Sequence, residues 1–538
     1  MKVSTAVIWH PLLLGVYFVI QLYAANADEL TLAVLLLPML VVCGVIGISW
    51  LILVVPARGV ARAAVVTTFA WGMFLFFFVV NDGLFGDVYH RVSLFGLEAE
   101  LQDWVALAWC GVILVGVGVL FFLPRNKGRV DTINRALNIT VSCLVLAVVV
   151  THGYSSAINW HGVSRILETD APAQGAIPSP ARGALPNVVY MVLDGYGRDD
   201  TYRNLFQYDN SPFLDALQKR GFYVAGQARA NYSKTHASVS ATLNMNYHDS
   251  LLPHVSQRTT SKLPYFQLIK NNVLVPFLKS NGYTILNFSS ATFLMDIGEG
   301  RDEAQFSPWR SREYEAGLMN RTPLRAAFKY YFSQVKNQDY DYHRERLLSG
   351  IDFIRESYRQ KIDGPVFIMS HVLYSHAPFV FNEQGDAVNP DQLFTINEDN
   401  HTANEDLLAA PVESRRESGL VAQILFLNGK LLEAIDDVLA EATRPTVIVL
   451  QGDHGPGLSN DHSREGLIRR MPILSAFYFS DGDYTMLAPD ATPVNTFRII
   501  LNKYLQTNLP LLDNRSFWVN EPSIFDFIDV TDQLTLSK

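Results

Sequence analysis

Cysteine is almost missing from this 538-residue chain, and the three present, Cys43, Cys110 and Cys143, all fall in apolar runs before residue 152. That excludes a disulfide framework and thiol catalysis for everything downstream, which must be held by a buried core that its length allows. Charge is also scarce early on, with eight basic and eight acidic residues in 1–151. The formal net charge of −9 therefore belongs to the remainder of the chain. An acidic balance of this kind excludes nucleic acid as a partner. Internal repeats and extended low-complexity tracts are absent too, so the chain is not a solenoid or an array.

What is abundant is apolar sequence, at 49% hydrophobic residues, and it is unevenly spread. Runs at about 3–24, 32–55, 60–80, 104–123 and 133–151 each approach the ~20 residues that cross a bilayer as a helix. They predict a five-span membrane domain over residues 1–151. Lys2, Arg58, Arg62, Arg125, Lys127, Arg129 and Arg135 fall on one side of it. Asp28, Glu29, Asp82, Asp87, Glu98, Glu100 and Asp103, with Arg91, fall on the other. The positive-inside rule puts the N-terminus in the cytoplasm, and an odd number of spans puts everything after Thr151 outside. Lys2 and the small residues Ala24-Ala25-Asn26-Ala27 also fit a cleaved signal peptide, but the length of the run and the four spans behind it favour an uncleaved first span. Both readings leave the large domain outside an inner or plasma membrane.

Residues 152–186 read as a linker, punctuated by Pro172, Gly175, Pro178, Pro180, Gly183 and Pro186. From 187 to 538 strands and helices alternate. Strands are expected at 187–193, 222–225, 283–288, 365–372, 446–451 and 472–479. Helices are expected from Ser211 to about Lys219, from near Lys234 or Thr235, at Asp341–Lys361 and Ser414–Glu441, and near Val494–Leu505. This alternation predicts an α/β domain whose mostly parallel sheet is covered by helices.

Two strands in this domain end on an aspartate. N-V-V-Y-M-V-L runs into Asp194-Gly195, and T-V-I-V-L-Q runs into Gly452-Asp453-His454-Gly455. Ligands and metals sit at the C-terminal ends of strands in open α/β sheets. A carboxylate next to an imidazole suits a divalent cation. Thr235, expected in the first turn of a helix, would lie among free N–H groups that can hold a phosphoryl or sulfuryl group, and it also fits a plain helix cap. His371 at the end of one strand and His376 in the following turn both fit satisfied turn histidines.

Taken in order, strand-Asp194-Gly195, Lys234-Thr235, Ser375-His376-Ala-Pro-Phe, and Gly452-Asp453-His454-Gly455 with Asn460-Asp461-His462 resemble the alkaline phosphatase/sulfatase superfamily. The layout is similar to its membrane-anchored branch, the lipoteichoic acid synthases and phosphoethanolamine transferases, with spans before an exported sulfatase-like domain. The resemblance implies that Asp194, Thr235, Asp453 and His454 hold one divalent metal, Mn²⁺ or Zn²⁺, that Thr235 is also the nucleophile, and that His376 and His462 line the substrate side. A threonine hydroxyl needs such a cation to attack near neutral pH. The synthases carry Glu where this chain has the shorter Asp194. Formylglycine sulfatases need C/S-x-P-x-R at the nucleophile, and here the segment is Lys234-Thr235-His236-Ala237-Ser238. The expected activity is transfer of a phospho-headgroup, of phosphoglycerol or phosphoethanolamine type, from a phospholipid donor to an envelope glycan or lipid. A phosphodiesterase or sulfuric ester hydrolase and a non-catalytic envelope assembly protein are the alternatives.

Overall fold

The computed structural model describes residues 7–27, 30, 32–85, 91–94, 97–122, 126–169, 185–252, 255, 257, 259–288, 297, 309–330, 333–360, 362–389, 394, 412–456, 462–521 and 523–535. The chain divides into two compact units. The first comprises Met1–Ile158, Pro308–Asp339 and Asp391–Thr395, and the second comprises the rest.

In the first unit the apolar runs are helical: α1 (His10–Ala25), α2 (Leu36–Val54), α3 (Val60–Leu75), α4 (Leu101–Phe122) and α5 (Lys127–Thr169). Leu32–Val54, Leu101–Phe121 and Lys127–Tyr154 are long and apolar enough to cross a membrane, while α1 and α3 are shorter apolar helices. The protein is therefore a membrane protein. Side chains pointing outward from α2 and α4, such as Leu40, Ile48, Leu51, Leu107 and Leu114, stay exposed, as lipid-facing residues do. Close approach of α1 and α2 depends on Gly15, where a Cβ would lie 2.8 Å from Ile46 Cδ1.

A buried polar knot at the start of α1 joins three helices. His10 Nδ1 is 2.6 Å from Thr68 Oγ1 and its Nε2 is 2.8 Å from Asn134 Oδ1. Its backbone N–H donates to Asn138 Oδ1 at 3.1 Å. At the other end of α1, the Tyr314 hydroxyl donates to the Val19 carbonyl (2.5 Å), and Arg321 donates to Gln21 Oε1 (2.8 Å). Helices Trp309–Asn320 and Leu324–Tyr330 belong to this unit although they lie late in the sequence. One expectation needs correcting: α5 does not stop near residue 151 but continues to Thr169, so the first half of the linker is helical. No proline interrupts Tyr154–Thr169, so nothing there blocks the helix from continuing. Residues 170–184 lie outside the described residues.

The second unit is built on six strands, β1 (Asn187–Leu193), β2 (Tyr223–Val224), β3 (Thr284–Phe288), β4 (Val366–Val372), β5 (Thr446–Gln451) and β6 (Ser475–Phe479), in the order β2-β6-β5-β1-β4-β3. The pairs β1–β4, β1–β5 and β3–β4 are parallel, while β6 is antiparallel to both β5 and β2. The sheet is thus mostly parallel, as expected. Its central strands are buried on both faces, which is why β1, β4 and β5 read as unbroken apolar runs rather than alternating ones.

Helices cover both faces. Val188, Tyr190 and Val192 pack in one cluster with Val239 and Leu243 of α6 (Thr235–Asn244) and with Phe497 and Ile500 of a later helix, Thr496–Tyr504. On the opposite face, Gly350 of α7 (Ser333–Arg359) lets Val372 and Phe288 approach, and Ser370 Oγ donates to its carbonyl at 2.6 Å. The helix Val412–Glu441, α8, is long and apolar by composition. Its buried residues Leu420, Ile424, Leu427, Leu431, Ile435 and Val438 recur at helical spacing, and Arg220 bridges to Asp436 from outside at 2.6 Å. That amphipathic pattern makes it a core-facing helix rather than a span.

Candidate metal centre

The site forms where β1, β4 and β5 end side by side. Asp194 follows β1, His371 is the next-to-last residue of β4, and Asp453 follows β5 across Gly452. Backbone contacts fix the ends: Asp194 N–H donates to the Val372 carbonyl and Ser375 N–H to the Asp194 carbonyl, both at 2.9 Å. Gly195 N–H donates to Asp453 Oδ1 at 3.0 Å, holding the two aspartates in register. Both glycines of the G-D-H-G stretch are required for close approach. A Cβ on Gly452 would lie 2.3 Å from the Tyr196 carbonyl oxygen, and one on Gly455 would lie 2.2 Å from that of Arg469.

Thr235 opens α6, and the cap residue before it is Lys234, whose extended backbone makes no side-chain capping bond. From His236 to Asn244 the helix is buried all round. Small hydroxyl residues make this tolerable, because Ser240 donates to the His236 carbonyl (2.6 Å) and Thr242 to the Ser238 carbonyl (2.8 Å). The hydroxyl of Thr235 is turned toward His454 Nε2, 2.9 Å away. Ser238 Oγ donates to the Asp453 carbonyl at 2.7 Å and ties this first turn to the aspartate loop.

His454 is 2% exposed, and its Nδ1 lies 2.9 Å from the Gly455 carbonyl, which can only accept. The ring proton therefore sits on Nδ1, and the Nε2 lone pair faces Thr235, Asp453 Oδ2 (3.3 Å) and Asp194 Oδ1 (3.7 Å). The Thr235 hydroxyl and Arg470 Nη2 (3.1 Å) donate toward this nitrogen. Burial, followed by the Arg470 guanidinium, lowers the affinity of this imidazole for a proton, against the opposing pull of Asp453 and Asp194. On the other side, His371, 1% exposed, brings its Nε2 to 3.4 Å from Asp194 Oδ2. Burial pushes the Asp194 carboxyl up, but the His371 contact and the neighbouring imidazoles outweigh it and hold Asp194 well below the usual carboxylate range.

These groups fit a divalent cation. Asp194, His371 and Asp453 each offer a ligand atom, and the three atoms lie within 4.8 Å of one another. Asp194 Oδ1 and Asp453 Oδ2 are buried and accept no hydrogen bond. Two converging carboxylate oxygens without donors are costly in a low-dielectric site unless a cation sits between them. Carboxylate oxygen with imidazole nitrogen suits a borderline divalent ion.

Of the six residues singled out in the sequence, Asp194, Thr235, Asp453 and His454 come together. His376 follows on the turn after β4, half-buried, with Nδ1 2.7 Å from the Ala377 carbonyl. His462 is exposed beside Trp518, ring centroids 6.5 Å apart, and among the described residues no contact links it to the carboxylates. Asn460 and Asp461 lie outside the described residues, as do residues 289–296 after β3. His371, read in the sequence as a satisfied turn histidine, is the one the structure brings into the cluster. Its signal was its place at a strand end, but only the pairing of β4 beside β1, with Val192 opposite His371, shows that it faces Asp194.

An α/β fold with paired carboxylates, imidazoles and a helix-opening threonine defines a metal-dependent enzyme class. Residues 186–498 match the sulfatase family model, and the chain belongs to the sulfatase family. It is an enzyme of that family, whose domains bind a divalent metal. No curated protein matches it in sequence. Among solved structures it is similar to the C-terminal periplasmic domain of EcEptC from Escherichia coli in complex with zinc. The identity is 12%, the match covers 66% of this chain and 96% of that one, and the TM-score is 0.37. It is similar to the soluble domain of lipooligosaccharide phosphoethanolamine transferase A from Neisseria meningitidis (14%; 60% and 89%; 0.36). It is also similar to the integral membrane form of that transferase from the same organism (11%; 92% and 95%; 0.37).

Proposed function

We propose that this protein transfers a phospho-headgroup from a membrane phospholipid to an envelope glycan or lipid, outside the cytoplasmic membrane, with Thr235 as nucleophile. The observation that carries the reading is the Thr235 hydroxyl 2.9 Å from His454 Nε2, at the first residue of a buried helix and beside the paired carboxylates. Asp194, Thr235, Asp453 and His454 would hold the metal, Mn²⁺ or Zn²⁺, and His371 adds a further nitrogen from β4. The cation, when bound, lowers the proton affinity of the hydroxyl and offsets charge on the transferring group.

The protein groups supply the rest. Thr235 Oγ attacks phosphorus, the phosphorus–oxygen bond to the lipid glycerol breaks, and that oxygen leaves with a proton. The acceptor hydroxyl then attacks the phosphothreonine, releasing Thr235 with its proton restored. Free N–H groups in the first turn of α6 face the captured group. His376 and His462 are assigned to the substrate side, where a proton can be given to the leaving oxygen or taken from the acceptor. Attachment to membrane helices favours a lipid donor over a soluble one, because it keeps the domain where that donor is concentrated.

The test is the mass of the Thr235 peptide after the full-length protein meets total membrane lipid with acceptor withheld. A phosphoglycerol, phosphoethanolamine, bare phosphate or sulfate adduct on Thr235 names the donor class. Thr235→Ala should lose adduct and turnover while staying folded. Normal turnover in that variant, or an adduct on Ser233 or Ser238, would overturn the assignment.

A further inference from the structure

α9 (Arg464–Arg470) ends on two buried arginines that point to different tasks. Arg469 turns toward Glu465 (3.3 Å) and Glu417 (3.7 Å), its guanidinium over the Phe206 ring at 5.1 Å, which is a structural anchorage. Arg470, 2% exposed, turns into the site. Its Nε donates to the Ser233 carbonyl at 2.8 Å, two residues ahead of Thr235, and its Nη2 lies 3.1 Å from His454 Nε2. Its own carbonyl accepts from Gly455 N–H at 2.7 Å, directly behind His454. One residue thus touches the approach to Thr235, the ring that faces Thr235, and the backbone carrying that ring.

We propose that Arg470 is a positioning residue that sets the Thr235 hydroxyl against His454. The inference rests on the reading of Thr235 as nucleophile and adds the device that holds it. Arg470 ties the Ser233 side of the turn to the His454 loop, and the Ser238–Asp453 bond ties the other side, so Thr235 is bracketed between two cross-links to one loop. The task needs a guanidinium. Its planar fork holds Nε on the Ser233 carbonyl while Nη2 lies against the edge of the His454 ring, whereas a lysine ammonium keeps the charge on a flexible stem and satisfies one geometry at a time. Loss of the bracket should displace the reacting oxygen without touching substrate contacts, and a misplacement of about 1 Å costs on the order of 10²-fold in rate.

The experiment uses the full-length protein in detergent with Arg470→Gln and Arg470→Lys. Two readouts are taken, amide hydrogen exchange across residues 231–238 and steady-state kinetics on a phospholipid donor. In Arg470→Gln, exchange in that segment should rise roughly tenfold as the turn opens locally. Its kcat should fall about 10²-fold with KM changed less than about twofold, the mark of an interaction that acts on the chemical step. Arg470→Lys should recover part of kcat and part of the exchange protection. Wild-type exchange and kcat in Arg470→Gln would overturn the proposal, and so would full recovery by lysine, since charge alone would then suffice. If Arg470→Gln does not fold, the lysine variant decides: intermediate kcat with faster exchange supports the bracket, and wild-type behaviour removes it. Should the wild-type protein turn over no phospholipid, the functional reading fails, while the exchange arm still decides whether Arg470 holds the turn.

Discussion

His371 shows how much a single residue can change the reading of this site. Buried at 1% exposure, 3.4 Å from Asp194, it stands with Asp194 and Asp453 in a cluster compact enough for one cation, while His454 approaches the same carboxylates with its Nε2 lone pair. Its role divides two cases. As a ligand it contributes a bond to the metal. As a neighbour it only orients Asp194 through the 3.4 Å contact that helps keep that carboxyl ionised. Loss of an orienting partner lowers metal affinity by about 10- to 100-fold, and loss of a direct ligand should do at least as much. His371→Gln, which places an amide nitrogen near the original Nε2, should therefore bind metal at least tenfold more weakly, with far-UV circular dichroism unchanged. Asp453→Asn should be more severe, because it leaves Asp194 to balance the charge alone. Metal content of the full-length protein, measured after dialysis against graded metal concentrations, checks both. Wild-type occupancy in Asp453→Asn would mean that the aspartate loop is a structural turn.

At the scale of the element, α6 matters most, and it makes the chain sensitive to acid. Behind Thr235, His236 of α6 and His248 of the short helix that follows it pack against Tyr232, Tyr265 and Phe527, with ring centroids 4.6–6.0 Å apart. Burial drives the proton affinity of His248 down to about 4, only partly offset by its bond to the Ala237 carbonyl. Burial, then Lys262 and Lys234, pushes His236 well below the ordinary value. Both histidines are neutral in the folded protein and take up a proton on unfolding once the pH is below about 6.5. The unfolded state then binds more protons, so stability falls as pH drops from about 6.5, and for His248 the loss is complete near its folded value of about 4. The loss attributable to His248 is about 3 kcal/mol over that window. His248→Gln should flatten the acid limb, read as the pH dependence of thermal unfolding by Trp fluorescence of the full-length protein between pH 7 and 4. An unchanged slope would mean that other groups set it.

The elements themselves were largely legible. Continuous apolar runs announced β1, β4 and β5, and glycine at 452 announced the end of β5. The start of α6 at Thr235 was legible despite its alternating apolar positions, because Ala and Leu favour a helix. Boundaries were less so: α7 begins at Ser333, well before Asp341, and β6 is antiparallel, a pairing that periodicity cannot reveal. The location of helices Trp309–Asn320 and Leu324–Tyr330 was hidden for the same reason. Their contacts with α1 and α4 join residues more than 200 positions apart, such as Arg321 with Gln21 and Arg325 with Asp103, and no local pattern encodes a partner that distant. The Arg470–His454 contact is likewise tertiary, whereas Asp194, Thr235, Asp453 and His454 each sat at a strand end or helix start that sequence could mark.

For the whole molecule the decisive question is which side of the membrane carries the sheet unit, because a phospho-headgroup acceptor in the envelope is reachable only from outside. Three observations bear on it. The basic residues Arg58 and Arg62 lie at the α2–α3 turn, and Lys127, Arg129 and Arg135 lie at the start of α5, all at one set of helix ends. Asp103 lies at the start of α4, in the opposite set, and faces Arg325 of the Leu324–Tyr330 helix at 3.8 Å. The knot of His10, Thr68 and Asn134 ties the start of α1 to α3 and to the basic end of α5, so α1 enters the membrane from the side carrying the lysines and arginines. We propose that this side is cytoplasmic, in which case α5 would exit outward and carry the chain beyond Thr169 out of the cell interior. A reporter that fluoresces only in the cytoplasm, fused after Lys538, should stay dark, and a periplasm- or surface-active enzyme fused at the same point should work. The pair is decisive because the two reporters must disagree: a bright cytoplasmic signal with a silent exported enzyme would invert the topology and leave the Thr235 centre facing nucleotides and metabolites instead of envelope lipids.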